Sequence, residues 1–194
     1  MSTKTILVLG ATGKQGGSLV DALRPSDASG DTTEFQLLAL TRSPTSPAAR
    51  RLASEPHVKV VEGNLDSPGS IRKVFDDAGG KGSIWGVFVV LAFPGLGANA
   101  DGEERQGIVS PRHILASRSR RIYECLQTIA DLALEYGVSA FIFSSVERGG
   151  ESYDDKLTLD RAAKVKIERH VRSLGDKGLK WTCVLFSSTR LTKL

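Results

Sequence analysis

Residues 7–20 read LVLGATGKQGGSLV, an apolar run followed by four glycines within eight residues and then a helix-compatible stretch. Gly10, Gly13 and Gly16 make a GxxGxxG pattern, one residue longer in its first gap than the common GxGxxG. At a strand-to-helix turn such a pattern aims free backbone N–H groups and the positive end of a helix dipole at one point, an arrangement that favours a diphosphate. Gly10 is expected to permit the sharp turn, Gly13 the close approach of a ligand and Gly16 the tight packing of helix on strand. Thr12, Lys14 and Gln15 would then lie beside the phosphates. Glycines alone also suit a plain flexible turn; the surroundings decide between the two.

Outward from that turn, short apolar runs alternate with more polar, helix-compatible stretches. The runs are TILVL (5–9), FQLLAL (35–40), VKVV (58–61), VFVVLAF (87–93), AFIFSS (140–145) and WTCVLF (181–186). Mostly continuous rather than alternating, they suit strands covered on both faces, as in a parallel sheet. Helices are expected over Gln15–Leu23, Pro47–Ala53, Ser67–Ala78, a long stretch ending at Tyr136, and Leu159–Leu174. Ser67-Pro68 reads as an N-cap followed by proline at the first helical position, and Gly137 as a C-cap. The alternation predicts an α/β fold, a doubly wound parallel sheet of Rossmann-like type with about six strands, in a single domain over residues 1–194. The glycine pattern therefore follows the first strand and heads a βαβ series, the context that a dinucleotide site requires.

Composition bounds the reading further. The chain has 194 residues, 40% hydrophobic and 25% charged, enough for a real core. No apolar stretch is long enough to span a membrane and the N-terminus lacks the layout of a secretory signal, so a cytoplasmic or nuclear protein with no membrane association is expected. Cys125 and Cys183 are too few for a disulfide framework, and no Cys/His cluster has metal-ligand spacing. Of the net charge of +4, a local +3 falls within residues 108–127. The remainder is nearly balanced, so a basic groove for direct nucleic-acid binding is not expected.

The end of the second strand decides which dinucleotide fits. An acidic side chain there would hold the ribose hydroxyls of NAD, whereas a basic one would pair with the 2′-phosphate of NADP. QLLALTRSPTSPAAR (36–50) contains no acid, and Arg42 follows Thr41 directly. A guanidinium binds phosphate bidentately, which makes Arg42 the candidate clamp and NADP (NADP+/NADPH) the expected cofactor. Glu34 precedes the strand, at the wrong end to serve NAD.

Taken together, GATGKQGG (10–17), LALTR (38–42), EGNLDS (62–67), GVFVVLAF (86–93), FIFSSVE (141–147) and LDRAAKVKIERHV (159–171) resemble the NmrA-like family of atypical short-chain dehydrogenase/reductase proteins. The resemblance implies that Gly10, Thr12, Gly13, Lys14, Gln15 and Gly16 hold the pyrophosphate and Arg42 the 2′-phosphate. It also implies that Asn64 and Leu65 face the adenine, that Ala92 and Phe93 line the cofactor, and that Lys164 reaches the nicotinamide ribose.

Hydride transfer in the wider superfamily uses a tyrosine four residues before a lysine, both on one helix face. The residues four after Tyr123, Tyr136 and Tyr153 are Gln127, Ala140 and Leu157, and four before Lys164 stands Asp160. Ser144 and Ser145 end the fifth strand, where a catalytic serine often sits. With no confident catalytic residue, the resemblance favours a non-catalytic redox or metabolite-sensing regulator that binds NADP and acts through a protein partner. The alternatives are an NADP-dependent oxidoreductase acting on a small carbonyl compound, and a truncated product of low activity.

Two segments depart from the family pattern. IVSPRHILASRSRRIYECLQ (108–127) interrupts what would otherwise be one helix running from ERQG into TIADLALEYG, and Ser110-Pro111 must break it. Beyond the break Ile122, Leu126, Ile129, Ala133 and Tyr136 keep helical spacing, so that half can still pack. The other departure is residues 183–194, where the family continues into a smaller region that closes the substrate cleft. The segment 108–127 reads as a surface insertion or as translated intron, being in frame with Val109-Ser110 encodable as a splice donor and Gln127 as an acceptor. On the intron reading, sequencing of transcripts should recover a message lacking these codons; a mature message that always retains them would refute it.

Overall fold

The computed structural model describes residues 3–24, 34–65, 67–90, 127–147, 150–156 and 159–186. Six strands form one sheet: β1 (Lys4–Leu9), β2 (Phe35–Thr41), β3 (Val58–Glu62), β4 (Gly86–Val89), β5 (Ala140–Val146) and β6 (Trp181–Phe186). The helices are α1 (Lys14–Ala22), α2 (Pro47–Ala53), α3 (Pro68–Asp77), α4 with helical residues 127–135, and α5 (Leu159–Gly175). A 3-10 helix spans Glu151–Lys156. The sheet order is β3-β2-β1-β4-β5-β6 and every pairing is parallel. This is the doubly wound Rossmann-like arrangement predicted from the sequence.

The apolar runs become strands because both faces of the sheet are covered. Leu7 and Leu9 of β1, Leu38 and Leu40 of β2, Val87 and Val89 of β4, and Phe141 and Phe143 of β5 point to one face. There they meet Ile71, Val74 and Phe75 of α3, Ile129 and Ala133 of α4, and Ile167 and Val171 of α5. Ile6, Val8, Leu37, Ala39 and Phe88 point the other way, against Val20 of α1, with Leu19, Leu23 and Leu52 beside them. One strand thus feeds two cores, which requires the continuous apolar runs seen in the sequence.

Most boundaries agree with the sequence reading to a residue or two. The clearest difference among the described residues is in β4, expected over 87–93, where the strand is Gly86–Val89 and Val90 lies outside it. On the β1 side Leu9 is the last strand residue and pairs with Val89, and Gly10 then turns away with φ +73°. Val90 reaches β1 only through a long hydrogen bond from its N–H to the Leu9 carbonyl, 3.4 Å. Residues 91–93 lie outside the described residues, as does the segment 108–126 with Tyr123 and Cys125. Cys183 is half-buried on β6.

Ser67 takes the N-cap position of α3 with Pro68 after it, but its side chain makes no capping bond. Ser70 ties the turn instead, its Oγ accepting from Asn64 N–H at 3.0 Å. At the other end of the expected long helix, Gly137 has φ +70° and Val138 N–H donates to the Ala133 carbonyl at 2.9 Å, a Schellman closure that stops α4 where the sequence placed its cap.

A polar clamp fixes α3 against α4. Arg72 donates two hydrogen bonds to Glu135, at 2.6 and 2.7 Å, and the buried Tyr136 hydroxyl donates to Asp76 at 2.6 Å. The Arg72 bonds hold the Glu135 carboxyl below its usual range, and the bond to Asp76 raises the Tyr136 phenol above its ordinary value, with burial adding to the effect. A phenol whose folded pKa is raised contributes stability below its unfolded value of about 10 that is lost as pH rises beyond it. Equilibrium unfolding in urea should therefore show an alkaline loss of stability above about pH 10 that is shallower in Tyr136→Phe. An identical alkaline limb in the variant would remove Tyr136 from that role.

Candidate functional site

The sheet order reverses between β1 and β4, and in doubly wound folds the ligand crevice lies at that reversal, outside the carboxyl ends of the strands. The glycine turn stands at this place. Gly10 leaves β1 in the left-handed region, and a Cβ there would run into the carbonyl oxygen of Val90. Gly16 lies on the far side of the same turn, where a Cβ would run into the carbonyl group of Gly10. Three backbone segments therefore meet with no side chain between them. Gly13 differs: a Cβ would come no closer than 3.3 Å to the Gly10 oxygen, and the residue is exposed. Its bareness leaves room outside the protein rather than within it.

The amides follow from this packing. Gly13 N–H donates to the Gly10 carbonyl at 2.9 Å, closing the turn. The first helical bond runs from Gly17 N–H to the Gly13 carbonyl at 2.8 Å. The N–H groups of Lys14, Gln15 and Gly16 precede it and point out of the helix end. Gly13 is the N-cap with no side-chain cap, and no acidic residue sits in the first turn to neutralise the dipole. A helix end that neither a capping side chain nor an acid neutralises suits a phosphate group.

Two grooves flank the start of α1. One, about 370 Å³, is lined by Lys14, Gln15, Ser18, Leu19 and Phe88. The other, about 290 Å³, lies between α1 and α2, with Thr12, Gly13, Gly17 and Arg51 among its lining.

Arg42 is exposed at the carboxyl end of β2, one residue beyond Thr41. The loop behind it is organised: Thr41 Oγ1 accepts from Ser43 N–H at 3.2 Å, and Ser46 Oγ accepts from Ala49 N–H at 3.3 Å to cap α2. Among the described residues no carboxylate pairs with Arg42. Glu34 is indeed at the opposite end of the sheet, in an ion pair with Lys4 at 2.9 Å. An acid the sequence reading missed does come near, since Glu62 of β3 lies in register with Thr41 and is exposed. Only the strand pairing reveals it.

The remaining candidates distribute as follows. Asn64 is in the turn from β3 to α3, where its N–H is held by Ser70 and its carbonyl accepts from Ser67 N–H at 3.0 Å. Leu65 is partly buried against the main core. Lys164 is half-buried on α5 and has a polar partner. Ala92 and Phe93 lie outside the described residues. Of the tyrosines, Tyr136 belongs to the α3–α4 clamp described above and Tyr153 falls in the 3-10 helix. Ser144 and Ser145, on opposite faces at the end of β5, both have partners. Ser144 Oγ donates to Gln15 Oε1 at 2.7 Å, and Ser145 Oγ donates to the buried Glu168 carboxylate at 3.2 Å.

Fold and crevice define a doubly wound α/β protein with a helix amino terminus presented at the sheet reversal. The sequence pattern of the NmrA-like family matches residues 2–103, and the chain belongs to that family. The NmrA-like family domain-containing oxidoreductase hkm9 of Aspergillus hancockii is 30% identical over 174 residues, covering 89% of this chain and 43% of the relative. Among solved structures, the negative transcriptional regulator NmrA in complex with NADP superposes with a TM-score of 0.62 at 22% identity, over 95% of this chain and 45% of that one. NmrA in complex with NAD superposes with the same TM-score of 0.62 at 23% identity and the same coverage, 95% and 45%. The chain spans less than half the length of each of these three matched chains. Among the described residues no helix is long and apolar enough to cross a membrane.

The packing at the turn gives a direct test. Gly16→Ala should destabilise the fold, because two backbone segments must separate, whereas Gly13→Ala should stay within about 1 kcal/mol of the parent. Urea denaturation of both variants checks this, and equal losses would show that the turn is not built as described.

Proposed function

We propose that the chain binds NADP(H) and works as a dinucleotide-responsive regulator rather than as a turnover enzyme. The observation that carries the reading is the combination of an uncapped α1 amino terminus with a cation at the end of β2 that no carboxylate pairs among the described residues. Bare Gly13 and the amides of Lys14, Gln15 and Gly16 would hold the pyrophosphate, with Gly10 and Gly16 shaping the turn and Thr12 at its rim. Arg42 would hold the 2′-phosphate, a charge-assisted contact that NAD cannot make. Asn64 and Leu65 would border the adenine, and Ala92, Phe93 and Lys164 the nicotinamide side. The solved NmrA complexes with NADP and with NAD are consistent with a dinucleotide in this crevice, and the choice of NADP rests on Arg42.

The regulatory part of the reading rests on what the site does not offer a substrate. No tyrosine stands four residues before Lys164, and both hydroxyls at the end of β5 are engaged by other side chains. A protein partner would then sense the difference between the empty and the occupied crevice. The hkm9 relative is named an oxidoreductase, which favours a second reading; with the cofactor choice made above, that enzyme would use NADP, and its substrate would be a small carbonyl compound.

Titration with NADPH and NADH, followed by a turnover assay on a carbonyl panel, separates these readings. Binding that prefers NADPH, with no oxidation, supports the regulator; steady NADPH consumption establishes the oxidoreductase. Arg42→Ala should weaken NADPH roughly ten- to a hundredfold, as expected for hydrogen bonds to a charged group, and leave NADH unchanged. An equal loss for both nucleotides would contradict the role given to Arg42.

A further inference from the structure

The hydrogen bond between Ser144 and Gln15 joins residues 129 positions apart and ties the first turn of α1 to the carboxyl-end part of β5. Ser144 is 1% exposed, so water does not compete for its hydroxyl, and that hydroxyl has a single proton to give. The proton goes to Gln15 Oε1. With its oxygen held against β5, the carboxamide has its two N–H donors directed away from that strand. Gln15 is half-buried, stands in the first turn of α1 beside the outward-pointing amides, and lines the groove that also holds Lys14 and Phe88.

We propose that Ser144 is a positioning residue for dinucleotide binding, fixing the Gln15 carboxamide so that its N–H donors meet the nicotinamide-side phosphate and ribose. The inference rests on the dinucleotide reading above. The topology selects the half of the ligand involved: Arg42 ends β2 on one side of the reversal, whereas Ser144 ends β5 on the other, so a ligand whose adenosine lies over β2 extends its remaining half over β4 and β5. A glutamine has several rotamers to lose when a ligand fixes it. The bond to Ser144 imposes that loss before the ligand arrives, which is the way preorganisation raises affinity. For Ser144 to contact a substrate instead, it would have to break a buried hydrogen bond and leave the Gln15 oxygen without its partner.

The test compares two probes on the 194-residue chain: NADPH, and 2′,5′-ADP, which carries the adenosine side and lacks the nicotinamide half. Ser144→Ala should weaken NADPH roughly five- to tenfold, the worth of one hydrogen bond, while leaving 2′,5′-ADP unchanged. In a Gln15→Ala background the same substitution should cost almost nothing, because the group it positions is already gone. A purely structural serine would weaken both probes together and would do so in either background. The inference is overturned if Ser144→Ala binds NADPH as the parent does, if both probes lose equally, or if the two substitutions add. Should the parent chain bind neither probe, the dinucleotide reading falls and this inference with it. Parent binding with an indifferent Ser144→Ala overturns the inference alone.

Discussion

Everything at the crevice depends on a backbone crossing that no side chain could enter. β1 ends at Leu9, Gly10 turns through φ +73°, and the carbonyl of Val90 closes one side of that turn while Gly16 closes the other. A methyl group at Gly10 or Gly16 would push apart segments that are otherwise in contact. Because they are in contact, α1 starts directly above the end of its own strand, and its first-turn amides face the place where the sheet changes direction. Moving that helix end outward would still leave a helix and a sheet, but the amides and the end of β2 would no longer face one space. The strictness of the turn and the openness at Gly13 are complementary, since rigidity on the inside defines what is left vacant outside.

The same crossing partitions the molecule. α1 returns the chain to β2 on one face of the sheet, while α3, α4 and α5 cover the other, so each central strand must be apolar on both sides. Cover thins toward the end of the sheet, where Val184 and Leu185 of the edge strand β6 are 38% and 47% exposed. On the more heavily covered face the helices are joined by polar pairs as well as by packing. The Arg72–Glu135 and Tyr136–Asp76 bonds tie α3 to α4.

What the sequence makes legible follows from what is local. Strands buried on both faces announce themselves as continuous apolar runs, and β1, β2 and β5 lie where those runs fall; Pro47 and Gly137 mark helix ends through backbone constraints that act within one turn. The glycine turn is readable for the same reason, its requirement being written in consecutive residues. Pairings across the sheet are not readable. That Glu62 stands beside Thr41 is a matter of register between two strands, and that Ser144 reaches Gln15 requires β5 to lie two strands from β1, with β4 between them. The end of β4 at Val89 belongs with them, because Val90 has the composition of a strand residue and the turn of Gly10 away from the β1 side is not written in its own segment. The 3-10 helix at Glu151–Lys156 escapes for another reason, being too short for any periodicity to register.

The two halves of the crevice are built on different physics, and that difference bears on how a dinucleotide would be read. On the β2 side stands an exposed guanidinium with no carboxylate pairing it among the described residues, a charge screened by salt and free to sample rotamers until a phosphate orders it. Such a group distinguishes ligands by charge and offers little to one without a 2′-phosphate. On the β5 side the donor is a carboxamide already held by a buried hydroxyl, insensitive to salt and ordered in advance. On the proposed reading, discrimination between dinucleotides therefore resides in the flexible half and placement of the nicotinamide in the rigid half. A protein that must report on occupancy has use for that division: selection through a long-range charge costs the fold little, while the held end gives every bound ligand the same pose for a partner to recognise. Turnover would ask more of the rigid half, since a group must there give or take a proton, and the two hydroxyls best placed for it are already committed to Gln15 and Glu168.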